Sequence, residues 1–523
     1  MAELAGEIRG TRSADDAVSR SLPFVGWWAS FRALPIARRY VLLLLVAVFA
    51  KQAVQVVLFP PFTGHDEVAH FAYLRTIADE HRIPIVPDLD EWRAAWEVRG
   101  EPPGDYIPLD LYPYQRYSLD WCCEKGSNNG DYDLVPPKAM NLPIRQGERE
   151  LYPNGWQYAA NHPPLFYVVM TPVYWATDSL SLESQQYALR AAVIPFWLAI
   201  VWLSYLIVRN IFPRDAFLAM TVPTFVAFQT QLSYEGAMFN NDMLSFAIFS
   251  LILYQLTRCV RLGFTLPRAL GIGLVLGLGL LTKGTLITAA PLIGLAMVYR
   301  VGWRSVRRWA MLGTTTAATA AAISAPWFAF LYRTYGNLDG LDAIKALQFQ
   351  WTYRRTEPPS HWDLFWNWSF VQNRWSETWA EFGWRLIKVD QWLLALIGIV
   401  CAALAVRGLL AVAQLYTRRR GASSSDGEDA SRRHQRFALV LMVVTVLVAY
   451  GAVIQFGTQF ALTQARYYFH ALVPLAVILM LGLRQLLPTS WRPYGAGGVL
   501  VAMVVLNVVI YTQYVIPYWY LAS

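Results

Sequence analysis

The chain has 523 residues, 55% hydrophobic and 15% charged, with a formal charge of +8 and a mean hydropathy of +0.31. A soluble domain carries about a quarter charged residues, so this composition excludes a water-soluble globule. The basic residues flank apolar runs instead of forming one surface, which argues against a nucleic-acid partner and for cytoplasmic ends of membrane helices.

Residues 1–39 are polar and mixed and read as a cytoplasmic segment without a cleavable leader. Runs of about 20 apolar residues match the hydrocarbon core of a bilayer and must be helical there. Spans are expected at Val41–Phe59, Leu189–Val208, Phe217–Leu232, Leu244–Val260, Leu270–Leu281, Leu286–Tyr299, Trp309–Leu331, Trp392–Val412, Phe437–Phe456, Tyr468–Leu483 and Gly498–Ile516. The fold class is therefore all-α integral membrane, with about eleven transmembrane helices. Pro163–Ala176 is short for a span and reads as an interfacial or re-entrant helix.

Arginine clusters such as Arg258/Arg261/Arg268, Arg300/Arg304/Arg307/Arg308 and Arg432/Arg433/Arg436 fall at alternate span ends. Placing them inside obeys the positive-inside rule, with the N-terminus cytoplasmic and the C-terminus outside. The expected organisation is an N-terminal transmembrane module over 40–331, a second outer loop over 332–391, and C-terminal helices over 392–523 with a cytoplasmic linker at 413–436. The first outer loop, 60–162, is also large. Both loops are rich in Trp, Tyr and Pro and are expected to carry short surface helices, since long loops in compact proteins are usually functional. Cys122 and Cys123 are adjacent in the first; a vicinal disulfide, free thiols and bonds to another chain all stay open. No Cys/His metal spacing is present.

The polar residues at the outer ends carry the chemistry. The first span runs into Pro60-Pro61-Phe62-Thr63-Gly64-His65-Asp66-Glu67, then His70 and Tyr73. Helical spacing puts Asp66, His70 and Tyr73 on one face with Glu67 beside it. Two carboxylates and an imidazole can supply a general base or metal ligands. Read alone, Asp66 or Glu67 is the acidic start of a surface helix. His162, Asn241, Asp242, Lys283, Arg466 and Tyr467 fall on the same side under this topology. Singly, each is a turn residue, a helix cap or a snorkelling cation; their convergence is the informative part. Carboxylates beside Lys and Arg suit an anionic lipid-linked substrate, with the cations on a phosphate. Lys51 either reaches this cavity or snorkels.

These residues resemble the GT-C superfamily of membrane glycosyltransferases, near the protein O-mannosyltransferases and aminoarabinose transferases. The resemblance rests on the acidic pair opening the first outer loop and His162-Pro163-Pro164-Leu165 before a short apolar helix. Asn240-Asn241-Asp242, Leu281-Thr282-Lys283-Gly284, Trp379–Trp384 and Gln464–Phe469 add to it. It spans roughly residues 40–515. It implies transfer of a sugar from a polyprenyl-phosphate carrier to an extracytoplasmic acceptor, in the inner membrane of a bacterium, by inverting displacement. Asp66 would be the base, with Glu67 the substitute; His70 would orient the base or bind acceptor. Lys283 and Arg466 would neutralise the leaving phosphate, with Tyr467, His162, Asn241 and Asp242 in the substrate site. A divalent cation, magnesium or manganese, stays open, with Asp66, Glu67 and Asp242 as its ligands. A transporter or flippase for lipid-linked saccharides, which would show paired broken helices in related halves, and a non-catalytic assembly protein are the competing readings.

Overall fold

A computed structural model describes residues 31–86, 105, 107–108, 110–111, 114, 157–344, 359–383, 385–417, 426–460 and 463–521. Cys122 and Cys123 lie outside these residues. Helix α1 (Ile36–Leu58) leads into α2 (Glu67–Glu80). After α3 (Leu165–Ala176) come α4 (Leu182–Ile211), α5 (Ala216–Phe228), α6 (Thr230–Glu235), α7 (Asp242–Leu262) and α8 (Leu266–Leu280). A 3₁₀ turn, Gly284–Thr288, opens α9 (Ala289–Val301), and α10 (Val306–Tyr335) follows. The second outer loop contributes α11 (His361–Trp366), α12 (Trp368–Trp379) and a small antiparallel hairpin, β1 (Glu381–Phe382) and β2 (Ile387–Lys388). The chain then forms α13 (Gln391–Thr417) and α14 (Asp426–Gln459); a 3₁₀ turn, Ala465–Ala471, leads into α15 (Leu472–Leu486), before α16 (Arg492–Ile510).

The protein is an all-α, multi-pass membrane protein. Eight of its described helices are long and apolar enough to cross a bilayer. They cover eight of the expected spans; α5 and α8 are shorter apolar helices, and α10 is a 30-residue helix diluted by Thr and Ala.

One expected span is corrected. Phe217–Leu232 is not continuous: the chain breaks at Gln229, between α5 and α6. A break in apolar surroundings frees carbonyls that need donors. The Ala227 carbonyl accepts from Lys51 Nζ at 3.3 Å, and the Phe228 carbonyl from Asn507 Nδ2 at 2.8 Å. Gln229 caps α6 by accepting from the Leu232 amide at 2.6 Å. Lys51 also donates to the Ser233 hydroxyl. It therefore neither snorkels nor enters the site cluster; it holds a helix break.

Small residues set the closest helix contact. A Cβ on Gly408 would collide with the Ile478 carbonyl, and one on Gly482 with the Leu404 carbonyl. Helices α13 and α15 thus meet backbone to backbone, as small-residue contacts permit in membranes. Alternation of direction then sorts the ends. The ends of α1, α6 and α8 and the starts of α2, α7 and α15 share one end of the bundle, where the site forms. Basic residues meet at the other end: Arg300 approaches Gly263, Arg484 pairs with Asp215 at 2.6 Å, and Tyr299 donates to the Arg433 carbonyl at 3.0 Å.

Candidate functional site

Asp66 precedes the first turn of α2 in the left-handed region, at φ 59° and ψ 11°. This is uncommon for a non-glycine residue and concentrates at functional sites. The conformation turns its carboxylate away from the helix it precedes, and it makes no capping bond. Instead, Oδ2 accepts from Arg466 Nη2, and Oδ1 accepts from the Tyr158 hydroxyl at 3.0 Å.

Arg466 comes from the 3₁₀ turn before α15. Its second amino group donates to Asp242 Oδ2 at 3.1 Å, and Lys283 Nζ donates to Asp242 Oδ1. Four charges from four separate stretches thus alternate as Asp66, Arg466, Asp242 and Lys283. Arg466 is 6% exposed and Asp242 1%. The Tyr467 ring lies 5.5 Å from both Lys283 Nζ and the Arg466 guanidinium, a cation–π distance. Burial works to raise the Asp66 carboxyl, but the Arg466 charge, helped by His70, outweighs it and holds the group at about 2.

Two histidines with their partners flank this chain of charges. His70 Nδ1 shares a 2.7 Å hydrogen bond with the Tyr167 hydroxyl. His162 Nδ1 is 3.3 Å from Asn241 Nδ2, which also donates to the Thr282 carbonyl. The His70 and His162 rings are 5.5 Å apart. Burial, reinforced by each other's proximity or that of Lys283, keeps both imidazoles toward the neutral form: His70 titrates well below its ordinary range and His162 at about 4. All the residues singled out in the sequence for the substrate site, except Glu67 and Lys51, therefore meet in this cluster or its surrounding layer.

Glu67 goes elsewhere, although it is the next residue. Its Oε1 and Oε2 accept from Arg190 Nε at 2.8 Å and Nη2 at 2.5 Å. Backbone amides of Phe239 and Gly64 add bonds of 2.7 and 2.8 Å. Arg190 itself donates to the carbonyls of Phe59 and Pro60 at 2.7 and 2.9 Å. Both side chains are 0% exposed. Gly64 is required here, since a Cβ would lie 2.6 Å from Glu67 Cδ. With four donors on its two oxygens, Glu67 has no face left for a substrate.

The same geometry bears on a metal. Among the described residues, no group of three or more His, Cys, Asp and Glu is arranged to hold one. Of the expected ligands, Asp66 and Asp242 are joined through Arg466, and Glu67 faces Arg190. This donor set, interleaved with arginine and lysine, does not fit a divalent cation.

Sequence reading missed Arg190, Tyr158 and Glu377, the last grouped with Glu235 and Glu381. Arg190 carried a signal: a charge inside an apolar run needs a buried partner. Tyr158 sits in the turn before α3 and Glu377 in α12, each among aromatic residues with nothing local to mark it.

No family model and no curated protein matches the chain. Several solved structures are similar in fold. ArnT from Cupriavidus metallidurans bound to undecaprenyl phosphate matches at TM-score 0.43 and 14% identity, over 93% of this chain and 71% of that one. An Archaeoglobus fulgidus oligosaccharyltransferase in complex with Zn and sulfate matches at TM-score 0.41 and 13% identity, over 88% of this chain and 52% of that one. The oligosaccharyltransferase AglB of the same organism, with an inhibitory peptide and a dolichol-phosphate, matches at TM-score 0.41 and 12% identity, over 90% and 55%. The chain thus spans about half the length of these archaeal enzymes. At scores of this size the likeness carries no argument about activity, which rests on the geometry of the site.

Proposed function

We propose that the chain is a glycosyltransferase that moves a sugar from a polyprenyl-phosphate carrier to an acceptor on the outer side of a bacterial inner membrane. The carrying observation is the alternation of Asp66, Arg466, Asp242 and Lys283 at one end of an apolar bundle. Two cations and two carboxylates in one buried cluster match a reaction that must hold a phosphate and accept a proton.

The acceptor hydroxyl attacks the anomeric carbon while its proton passes to Asp66. The bond from that carbon to the phosphate oxygen breaks, and the carrier phosphate leaves with the electron pair. Arg466 and Lys283 stabilise the charge that develops there. A carboxylate held at about 2 is a weak base at neutral pH. An arriving phosphate competes for Arg466, and loss of that partner leaves burial to raise the Asp66 carboxyl. Donor binding and activation of the base are in this way one event. His70 and His162, held neutral, can accept or donate hydrogen bonds to the acceptor without adding charge. Glu67 supports the turn that presents Asp66. The basic residues gathered at the opposite end support a cytoplasmic placement of that end.

The test is Asp66→Asn expressed at normal level in the membrane. Loss of glycan transfer with retained insertion is expected. Unchanged glycan output from this variant sinks the reading.

A further inference from the structure

The basic end of the bundle holds a cavity far from the charge cluster. It lies between the ends of α4, α13 and α15 and the start of α14, and about 190 Å³ of it is open to water-sized molecules. One water needs roughly 10–15 Å³ on that scale, so the space admits a group of several heavy atoms. Its wall has two halves. Ala411 and Leu481 continue the apolar faces of spanning helices, while Gln414, Gln435, Gln485 and Arg484 supply amides and one guanidinium. Gln435 donates to the Ile211 carbonyl at 3.2 Å and so ties α14 to α4 across the cavity. A wall that is apolar along the helices and polar at their ends fits a molecule with a head and a tail.

The charges choose the head. No carboxylate is among the described lining residues. Asp215 meets Arg484 at Nε, 2.6 Å away, and its other oxygen caps α5 by accepting from the Leu218 amide at 3.0 Å. Among the described residues, nothing accepts from the two amino groups of Arg484. A second observation is independent of the cavity. Arg407 is the one charge within the apolar span Gln391–Leu415 of α13, and it is exposed. It stands one helical turn before Ala411 and two before Gln414, on the same flank of α13. A cation on the lipid-facing side of a span needs an anionic partner. No described carboxylate pairs with Arg407, so the negative charge has to come from lipid.

We infer that this cavity seats the phosphodiester head of an anionic glycerophospholipid from the leaflet at the basic end. Arg484 and Arg407 hold the phosphate, the glutamine amides meet its glycerol and ester oxygens, and an acyl chain lies against α13. The lipid sits at the foot of the seam between α13 and α15, next to Gly482 and one turn beyond Gly408. The inference is independent of the transferase reading, whose cluster lies at the other end of the bundle.

The experiment uses the full chain, delipidated in a neutral detergent, and follows its melting temperature as phosphatidylglycerol, phosphatidylcholine or inorganic phosphate is added. Phosphatidylglycerol is expected to raise it. Phosphatidylcholine, whose phosphate sits beside a fixed positive charge, and inorganic phosphate, which has no chain, are expected to do so far less. The half-maximal concentration of phosphatidylglycerol should rise roughly tenfold in Arg484→Gln, which loses a charge-assisted contact. It should rise about fivefold in Arg407→Gln, the share of one basic residue at an anionic lipid. Arg484→Gln also breaks the Asp215 pair and lowers the starting melting temperature; Arg407→Gln has no described partner to lose and keeps the test decisive. Arg308→Gln, an exposed basic residue at the same end on α10, should titrate like the native chain. No rise with phosphatidylglycerol, an equal rise with phosphatidylcholine or inorganic phosphate, or Arg407→Gln titrating like Arg308→Gln overturns the inference.

Discussion

Asp66 and Glu67 are neighbours in the chain, both buried, both paired with an arginine, and they live in opposite surroundings. The Glu67–Arg190 pair is finished by the backbone: two amides serve the carboxylate and three main-chain carbonyls serve the guanidinium. Backbone partners cannot leave without unfolding the turn. The Asp66–Arg466 pair is finished by side chains alone, Tyr158 on one side and Asp242 with Lys283 on the other. Side-chain partners can be exchanged for a ligand at the cost of a rotamer. The contrast separates a charge pair built to stay from one built to open.

The largest break of that contrast is Arg190→Met. It leaves a buried carboxylate uncompensated, which costs about 3–5 kcal/mol. Loss of monodisperse protein on size-exclusion chromatography is the expected result. Adding Glu67→Gln, which keeps an acceptor for the two amides and removes the charge, should restore much of the folded fraction. Asp66→Asn should do the reverse: melt close to the native protein and lose transfer by roughly 10²–10⁴-fold, the usual span for a general base. A melting loss in Asp66→Asn as large as that of Arg190→Met would erase the distinction.

Lys283→Ala comes next. It removes one charge-assisted contact, worth about 1.5–3 kcal/mol. A titration with bare undecaprenyl phosphate should show roughly 10- to 100-fold weaker binding, with Glu67→Gln far less affected provided it folds. The smallest effect is on pH. His70 and His162 are held below their ordinary range in the fold. The unfolded chain therefore binds more protons as pH falls below about 6.5, and stability drops with it. Asp66 works in another window: held at about 2, it stabilises the fold above its ordinary range and is lost only near that value. The melting temperature should fall between pH 7 and 5, and His70→Gln should flatten the slope. A slope unchanged in that variant assigns the loss to other groups.

The apolar runs made the helices legible, because lipid leaves the backbone no other choice. The sidedness of the basic residues made the site's end of the bundle legible too. Local spacing could not separate Asp66 from Glu67. Their fates are decided by an arginine 400 positions away for one and 123 for the other. The left-handed turn at Asp66 was equally invisible, since the residue types permit an ordinary cap. The break at Gln229 carries no Gly or Pro at that point; Pro223 sits earlier, inside α5. Lys51 and Asn507, from distant helices, make the break tolerable, so no window around residue 229 could reveal it.

The seam at Gly408 and Gly482 has a consequence for traffic. With carbonyls against α-carbons, α13 and α15 leave no slot wide enough for an isoprenoid tail. On the transferase reading, a carrier approaching from the lipid phase comes to the charge cluster along another flank. Bulkier residues at the seam would pry the bundle apart without creating a doorway.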